Sequence, residues 1–310
     1  MLDGSGCASL RRWARHPAPF HLLMLLALNL MLVCIALLRT VRTSPSTHAS
    51  SSLDRIVAAR ELRVGCPANY APFALRQCAH ADIVGSDVDE MASLAASLGA
   101  RLEWVEVEWA ELGASEAGSR FDIAVGGIDD TLSRRRHASF SQPTRAAEGK
   151  VAVARCGSST LRMLAPAAGE AANLSALDDA RVRVATNRGG TNEALVRSTF
   201  VQAAIVVVEA NGEQFGRVLR GEVELTVTDL AEARMMAARH QGRLCYTELL
   251  TRSHKAYLLP RDDFMWKEYV DAWLSNRLSS GAASSNFEQW LSWFANKLED
   301  NATCAPDGRP

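Results

Sequence analysis

Neither positive nor negative charge is in excess in this chain of 310 residues. Its 34 lysines and arginines face 35 aspartates and glutamates, which gives a formal net charge of −1. Neither an acidic tail nor a basic patch is present, so we do not expect nucleic acid as a partner. There is also no CxxC pair and no histidine-rich spacing. We therefore expect no zinc or other metal site, and no cofactor.

The N-terminal segment differs from the rest of the chain. Three arginines precede an apolar run at residues 20–38. A positive flank before a run of this length is typical of an export signal or of a single membrane anchor. The run is long for a cleaved signal, and the candidate cleavage site Thr47-His48-Ala49 lies far beyond it. We therefore favour an anchor within residues 1–42 over a cleaved peptide, and in both cases the body of the protein is exported to the periplasm.

The seven cysteines fit an oxidising compartment. Two belong to the targeting segment and five lie in the exported part. We predict a Cys66–Cys78 disulfide, because these cysteines are close in sequence, and a Cys156–Cys245 disulfide, which would tie two strand ends. This pairing leaves Cys304 free in a polar tail.

The exported part is long enough for a two-lobed globular body, and 48% of the chain is hydrophobic. A polar linker is predicted at residues 43–52, the folded body at 53–298 and a tail at 299–310. Within the body, short apolar strands alternate with helices, most clearly at strands 182–186, 204–209 and 223–228 and helices 191–200, 212–220 and 230–239. This alternation predicts an α/β fold with parallel strands.

A glycine turn follows the strand at residues 182–186. Gly189 and Gly190 permit a sharp turn and the close approach of a ligand. We predict that Thr191 caps the next helix and that Asn192 and Glu193 lie in its first turn. Free backbone N–H groups and the helix dipole would bind an anion there. Taken alone the signal is weak, because many such turns serve only packing.

A second strand that ends in glycines precedes Thr131, which can cap a helical turn carrying Arg134. An arginine in this position can bind a carboxylate through two parallel hydrogen bonds. The alternative is that Arg134, Arg135 and Arg136 form only a solvated face.

The order of short motifs resembles that of the family 3 solute-binding proteins, which have the type II periplasmic-binding fold and usually capture amino acids. In chain order the motifs are Leu-Arg-Val-Gly, Tyr-Ala-Pro-Phe, Gly-Ser-Asp-Val-Asp, Arg-Phe-Asp-Ile-Ala, Thr-Leu-Ser-Arg, Phe-Ser-Gln-Pro, Gly-Gly-Thr-Asn-Glu and Thr-Asp. Within this family the chain looks most like the cyclohexadienyl dehydratases, exported enzymes of the same fold that act on prephenate and arogenate. That similarity is carried by residues 108–112, 187–193 and 255–262.

The resemblance covers residues 53–298 and implies two α/β lobes around a ligand cleft. Lobe one would take residues 53–143 and 250–298, and lobe two residues 150–245. The implied partners are a small carboxylate or amino acid and, for a transport protein, the membrane component of an ABC transporter. An uncleaved anchor would add the membrane itself.

The dehydratase resemblance implies a specific chemistry. Prephenate loses its ring hydroxyl and a carboxylate together, and the leaving hydroxide needs a proton. Glu193 matches the general acid proposed for the family, and the alternative is a glutamate that only stabilises its helix. Burial between lobes would raise the pKa of this carboxyl, whereas nearby cations would lower it.

The resemblance also implies a set of binding residues. Arg134 matches the carboxylate clamp, and Asp229 matches the position where amino-acid binders hold an ammonium group, although it could instead cap the next helix. Lys150 would hold a second carboxylate or lie at a surface hinge. The remaining implied contacts are Thr131, Gly190, Thr191 and Asn192, with Trp109 and Phe73 as ring-packing residues or ordinary cleft wall.

Four residues depart from the family pattern. Asp129 and Asp130 replace small or apolar residues, and near Arg134 they would compete with a dianionic substrate. Thr144 stands where tyrosine is common, and Ser86 where phenylalanine is common. The sequence therefore leaves open an exported dehydratase, a non-catalytic binding protein and a membrane-tethered sensor.

Overall fold

The computed structural model describes residues 24–35, 51–77, 81–113, 119–146, 148–164 and 173–297. The chain divides into two compact units, Met1–Ser50 and Ser51–Pro310. In the first unit, residues 24–35 form helix α1. None of the helices in the described ranges has the length and apolar character needed to cross a membrane. The candidate cleavage site, Cys78, the tail at 299–310 and the linker up to residue 50 lie outside the described residues.

The second unit contains helices and short strands in alternation. Its helices are α2 (Ser52–Ala59), α3 (Ser86–Ser97), α4 (Leu132–Arg135), α5 (Ser159–Leu164), α6 (Gly190–Thr199), α7 (Glu213–Arg220), α8 (Leu230–Arg239), α9 (Phe264–Ser279) and α10 (Ala282–Lys297). Its strands are β1 (Glu61–Cys66), β2 (Asn69–Tyr70), β3 (Ala74–Arg76), β4 (Ile83–Val84), β5 (Arg101–Glu106), β6 (Ile123–Ala124), β7 (Ser139–Phe140), β8 (Lys150–Arg155), β9 (Arg183–Asn187), β10 (Ala204–Val208), β11 (Leu225–Asp229), β12 (Leu244–Tyr246) and β13 (Leu258–Leu259).

The first sheet has the strand order β5-β1-β6-β13-β7. Strand β1 runs parallel to β5 and β6, whereas β13 pairs antiparallel with both β6 and β7. The inner strands are almost wholly buried because helices cover the sheet; Val64, Ile123 and Leu259, for example, have no exposed surface. This sheet is therefore built mostly from residues before 141 and is completed by a strand from near the C-terminus.

The second sheet, of order β10-β9-β11-β8-β12, comes from one continuous segment. Strands β10, β9 and β11 are parallel, as the β/α alternation predicts. Strand β8 pairs antiparallel with β11 and β12 because the chain enters it directly from the first sheet rather than through a strand–helix–strand unit.

Two chain segments join the sheets, and they pair with each other. Ser253 N–H donates to the Glu148 carbonyl at 2.9 Å, and Leu250 N–H donates to the Lys150 carbonyl at 2.8 Å. The C-terminal helix α10 packs against both α3 and α8. Its Glu288 forms an ion pair with Arg234 of α8 at 2.9 Å.

The disulfide predictions have different outcomes. Cys156 and Cys245 form the predicted disulfide between neighbouring strands β8 and β12. The predicted Cys66–Cys78 disulfide is wrong, since Cys66 is a free thiol. Its sulfur lies in the apolar core, where it accepts a hydrogen bond from the Ala68 N–H at 3.3 Å. Burial raises the pKa of Cys66 to about 12.

Candidate functional site

A small cavity lies where the strand ends of the two sheets face each other. Its volume is about 30 Å³, enough for one or two waters. A ligand of amino-acid size therefore requires this cleft to widen. The lining residues are Tyr70, Trp109, Gly127, Asp129, Arg134 and Lys255 on one side, and Asn187, Gly189, Gly190, Thr191, Asn192, Asn211 and Asp229 on the other.

Four charged side chains form a closed ring beside the cavity, which we call the ion quartet: Asp129, Lys150, Asp229 and Lys255. Lys150 Nζ lies 2.9 Å from Asp129 Oδ2 and 2.6 Å from Asp229 Oδ1. Lys255 Nζ lies 2.8 Å from Asp129 Oδ1 and 2.7 Å from Asp229 Oδ2. The charges alternate around the ring and cancel. Lys150 is the first residue of β8 and Asp229 the last of β11, whereas Asp129 lies in the loop after β6 and Lys255 in the segment before β13. The ring thus lies near strand ends, where open α/β sheets usually bind ligands.

The ion quartet is deeply buried, with side chains no more than 6% exposed. Burial alone would raise the pKa of Asp129, but the ammonium groups of Lys255 and Lys150 outweigh it and hold that pKa below its ordinary value. Burial likewise acts to lower the pKa of Lys255, and Asp129 and Asp229 reverse this effect and raise it. These two groups thus stay ionised at neutral pH.

For two residues of this region, the structure differs from one of the alternatives that the sequence left open. Lys150 is buried and fully engaged, so it is not a surface lysine. Asp229 precedes α8, but its side chain does not cap the helix. Its carboxylate instead binds two lysines and the hydroxyl of Tyr70, which donates to Oδ2 at 2.6 Å. The chain's own ammonium groups thus lie where the resemblance implied a ligand ammonium.

Arg134 is held at the cavity by local helix geometry. Thr131 caps α4, and its hydroxyl accepts the Arg134 backbone N–H at 3.3 Å. The guanidinium donates through Nη1 to the backbone carbonyl of Asp129 at 2.8 Å, and burial lowers its pKa. Among the described residues, no carboxylate forms an ion pair with this guanidinium. Arg134 therefore lines the cavity as a cation without an ion-pair partner among the described residues, while Thr131 does not line the cavity.

The carboxylates expected to compete at Arg134 bind elsewhere. Asp130 forms an ion pair with Arg135 at 2.5 Å, and the carboxylate of Asp129 belongs to the ion quartet. The other two departures, Ser86 and Thr144, do not line the cavity. Ser86 begins α3 with its hydroxyl buried and without a hydrogen-bond partner among the described residues, and the Thr144 hydroxyl donates to the Lys255 carbonyl at 3.1 Å.

The aromatic wall differs from the predicted one. Trp109 lines the cavity, with its Nε1–H donating to Asn69 Oδ1 at 2.9 Å. Phe73 is 1% exposed and stacks behind Tyr70 with ring centroids 5.4 Å apart, so it does not line the cavity. Tyr70 occupies that place. The Tyr-Ala-Pro-Phe turn contains both aromatic residues, so the sequence indicated an aromatic wall but not which of the two residues would form it.

The N-terminus of α6 supplies polar groups to the other side. The helix begins at Gly190 and its N-cap is Gly189, not Thr191, because both glycines adopt positive φ angles, 74° and 73°. Thr191 therefore lies one residue inside the helix, where its hydroxyl contacts Asp129 and accepts from Lys150. Asn192 Oδ1 is buried and has no hydrogen-bond partner in the described structure. Asn192 is one of the residues that line the cavity.

Glu193 does not line the cavity in this conformation. Its carboxylate accepts the Gly189 N–H at 2.6 Å and forms an ion pair with Arg197 at 2.7 Å. The hydrogen bond from Gly189, together with Arg197, lowers the pKa of Glu193. Of the two opposing effects that the sequence left open, the lowering one prevails here.

Comparisons with known proteins place this geometry in a family. The model of the bacterial extracellular solute-binding proteins, family 3, matches residues 62–292. The chain belongs to this family. It has the type II periplasmic-binding-protein fold, and the extracellular character of the family supports export.

Two relatives differ in what they do. The chain is 36% identical over 266 residues to a cyclohexadienyl dehydratase of Pseudomonas aeruginosa, and the alignment covers 84% of this chain and 93% of that protein. It is 24% identical over 201 residues to a probable amino-acid ABC transporter-binding protein of Haemophilus influenzae, covering 65% and 72%.

Two solved structures with a similar fold are described as binding proteins. A crystal structure of an ancestral amino acid-binding protein, described as a precursor of cyclohexadienyl dehydratase, has a TM-score of 0.66 at 25% identity. It covers 78% of this chain and 100% of its own. A putative ABC-transporter binding component from Wolinella succinogenes, complexed with lysine, has a TM-score of 0.64 at 23% identity and covers 74% and 95%.

Proposed function

We propose that this protein is an exported dehydratase of the cyclohexadienyl dehydratase type, which converts prephenate to phenylpyruvate or arogenate to phenylalanine. The observation that carries the proposal is Arg134, a buried cation at the cavity without a carboxylate partner among the described residues. Such a guanidinium is suited to a ligand carboxylate. The 36% identity to a cyclohexadienyl dehydratase over 93% of its length supports the same conclusion.

The charge balance of the cleft supports an anionic substrate. The ion quartet is neutral, since its two lysines balance its two aspartates. Arg134 adds one positive charge to the cavity lining. A dianion such as prephenate is attracted to this excess, whereas the net positive charge disfavours a cationic amino acid.

The reaction needs one proton for each turnover. Prephenate carries two carboxylates; with one proton it gives phenylpyruvate, carbon dioxide and water. We assign the proton donor as Glu193. In the ligand-free conformation its carboxylate is held by Gly189 and Arg197. On this proposal, a ligand that binds at the N-terminus of α6 takes over the Gly189 N–H, and Glu193 turns toward the cavity, where desolvation favours its protonated form.

A second candidate function is the binding of an amino acid for delivery to an ABC transporter. The lowered pKa of Glu193 favours this alternative, because an ionised carboxylate paired with Arg197 is not a proton donor. Family 3 proteins include amino-acid binders of transport systems, as the relatives above illustrate.

Turnover of prephenate separates the two functions. The purified full chain would be given prephenate at neutral pH, and phenylpyruvate formation followed for wild type, Glu193→Gln and Glu209→Gln. Glu209 is the matched control, because it is an exposed glutamate paired with Arg188 at 2.6 Å. We expect wild-type turnover, a loss on the order of 10²- to 10⁴-fold in Glu193→Gln, and no change in Glu209→Gln.

Two outcomes would go against the proposal. A folded wild-type protein that binds an amino acid but leaves prephenate unchanged is a binding protein. Equal activity in the two glutamine variants would remove Glu193 from the reaction and leave the dehydratase without its proposed acid.

A further inference from the structure

The carboxylates of the ion quartet are already paired with cations. Each of the four oxygens of Asp129 and Asp229 lies 2.6–2.9 Å from a lysine Nζ. Several accept a second hydrogen bond as well, for example Asp229 Oδ2 from the hydroxyl of Tyr70. These two aspartates are the acidic residues among those that line the cavity. A ligand ammonium group that enters the cavity therefore finds its natural partners already occupied.

The two lysines are not equivalent. Lys150 Nζ has three N–H groups, and it contacts Asp129, Asp229 and the hydroxyl of Thr191, which uses all of them. Among the described residues, Lys255 Nζ forms ion pairs with the two aspartates and lies 5.9 Å from the ring centroids of Tyr70 and Phe73, so its ion pairs leave one N–H for another acceptor. Lys255 lines the cavity and Lys150 does not. The second carboxylate contact expected of Lys150 thus fits Lys255 better.

An ammonium ligand could form an ion pair with an aspartate of the cavity lining only by displacing a lysine from the quartet. The displaced lysine would remain in a site where its side chain is 3–6% exposed, without the carboxylates that now compensate its charge. Breaking a buried ion pair in this way is strongly unfavourable. A ligand without an ammonium group leaves the ring intact.

We propose that Lys255 and Lys150 determine the specificity of the cleft by occupying its ammonium positions, so that it selects carboxylates without an α-ammonium group. The inference rests on the proposed function and deepens it: prephenate is the substrate rather than arogenate. Arg134 binds one carboxylate of the dianion, and the remaining N–H of Lys255 binds the other.

The test compares two ligands that differ at one position. Phenylpyruvate and L-phenylalanine share a ring and a carboxylate, and the ammonium group of phenylalanine replaces a keto group. Their dissociation constants would be measured by calorimetry on the purified full chain. We expect phenylpyruvate to bind more tightly to wild type, by on the order of 100-fold. Neither ligand is consumed in the proposed forward reaction, so the result does not depend on turnover.

Variants of Lys255 sharpen the comparison. Lys255→Met leaves the quartet with one negative charge in excess. The preference for phenylpyruvate over L-phenylalanine should therefore fall at least tenfold or invert. Lys255→Arg keeps the charge and should preserve the preference. Lys267→Met is the matched control, because Lys267 lies on α9 and pairs with Asp271 away from the cavity; its ratio should equal that of wild type.

The outcomes separate this inference from the proposed function. Equal binding of the two ligands by wild type, or binding of neither, overturns the inference, and so does a folded Lys255→Met protein with an unchanged ratio. If Lys255→Met does not fold, the ratio of the two dissociation constants in wild type is sufficient to test the inference. A chain that shows the expected ratio but does not convert prephenate contradicts only the proposed enzyme activity.

Discussion

Removal of the Cys156–Cys245 disulfide should lower stability by an amount that the loop length sets. The bond joins residues 89 apart, and the loop it closes contains strands β9 to β11. Opening a loop of this size in the unfolded chain releases about 15 cal/mol/K of entropy, or about 4.6 kcal/mol at 25 °C. The folded state should change little, because β8 and β12 pair through backbone hydrogen bonds, including Cys156 N–H to the Arg243 carbonyl at 3.0 Å.

Thermal unfolding of the double variant Cys156→Ala/Cys245→Ala, followed by circular dichroism, measures this loss. At roughly 2–4 °C per kcal/mol for a body of this size, Tm should fall by about 9–18 °C. Substitution of one cysteine alone should lower the free energy of unfolding by nearly as much, since either change opens the loop. The control is Cys66→Ala, which removes a buried free thiol but opens no loop, and should cost only about 1 kcal/mol.

Two results would refute this reasoning. One is a double variant that loses less than about 1 kcal/mol, because the loop entropy would then not be the source of stability. The other is quantitative alkylation of Cys156 and Cys245 in the native, unreduced protein, which would show that the bond does not form.

Three further substitutions test charged groups of the fold and site. Burial raises the pKa of Glu232 to about 7, above its ordinary 4.5, so the contribution of this group to wild-type stability should fall by about 3 kcal/mol as pH rises from 4.5 to 7. Urea unfolding at several pH values should show that Glu232→Gln lacks this decline. Asp122 is fully buried against two partly exposed arginines, and Asp122→Asn should cost about 3 kcal/mol in the same assay. Arg197→Ala removes a cation that lowers the pKa of Glu193, so the pH–rate limb assigned to this acid should move to higher pH.

Each of these predictions has a distinct contrary result. A Glu232→Gln protein that keeps the wild-type pH slope would show that another group titrates. Wild-type stability in Asp122→Asn would mean that the arginines find other partners. An unshifted pH profile in Arg197→Ala would separate Glu193 from the rate-limiting proton transfer.

The parts of the molecule that could be predicted from sequence are local. The alternation of strands and helices at residues 182–239 indicates parallel strands, and the motif order indicates the family. The turn that carries Arg134 was recognisable because a capping threonine stands three residues before the arginine. Such features depend on neighbours along the chain, which the sequence displays directly.

The ion quartet was not predictable for the opposite reason. Asp129, Lys150 and Asp229 could each be singled out from the sequence, but they and Lys255 lie far apart along the chain, and nothing in the sequence pairs them with one another. They meet only because ends of β6, β8, β11 and β13 lie near the same place, and β13 is a two-residue strand without a recognisable pattern. The Cys66–Cys78 prediction failed on similar grounds, since closeness in sequence does not fix where a side chain points.

The orientation of Glu193 is an intermediate case. Its ion pair with Arg197 joins residues four apart on one helix, a spacing visible in the sequence. The hydrogen bond from Gly189 depends on where α6 begins, and the predicted cap at Thr191 was two residues late. A small error in a helix boundary thus obscured the direction of a carboxylate that matters for the chemistry.

The insertion of β13 between β6 and β7 also dictates the order in which the two sheets can be completed. All strands of the second sheet lie within residues 150–246, whereas the first sheet needs Leu258 and Leu259. Because the chain is synthesised from its N-terminus, β6 and β7 are made early, before the strand that lies between them in the sheet. The first sheet therefore keeps open edges, which can pair wrongly with other strands, until the final part of the polypeptide arrives.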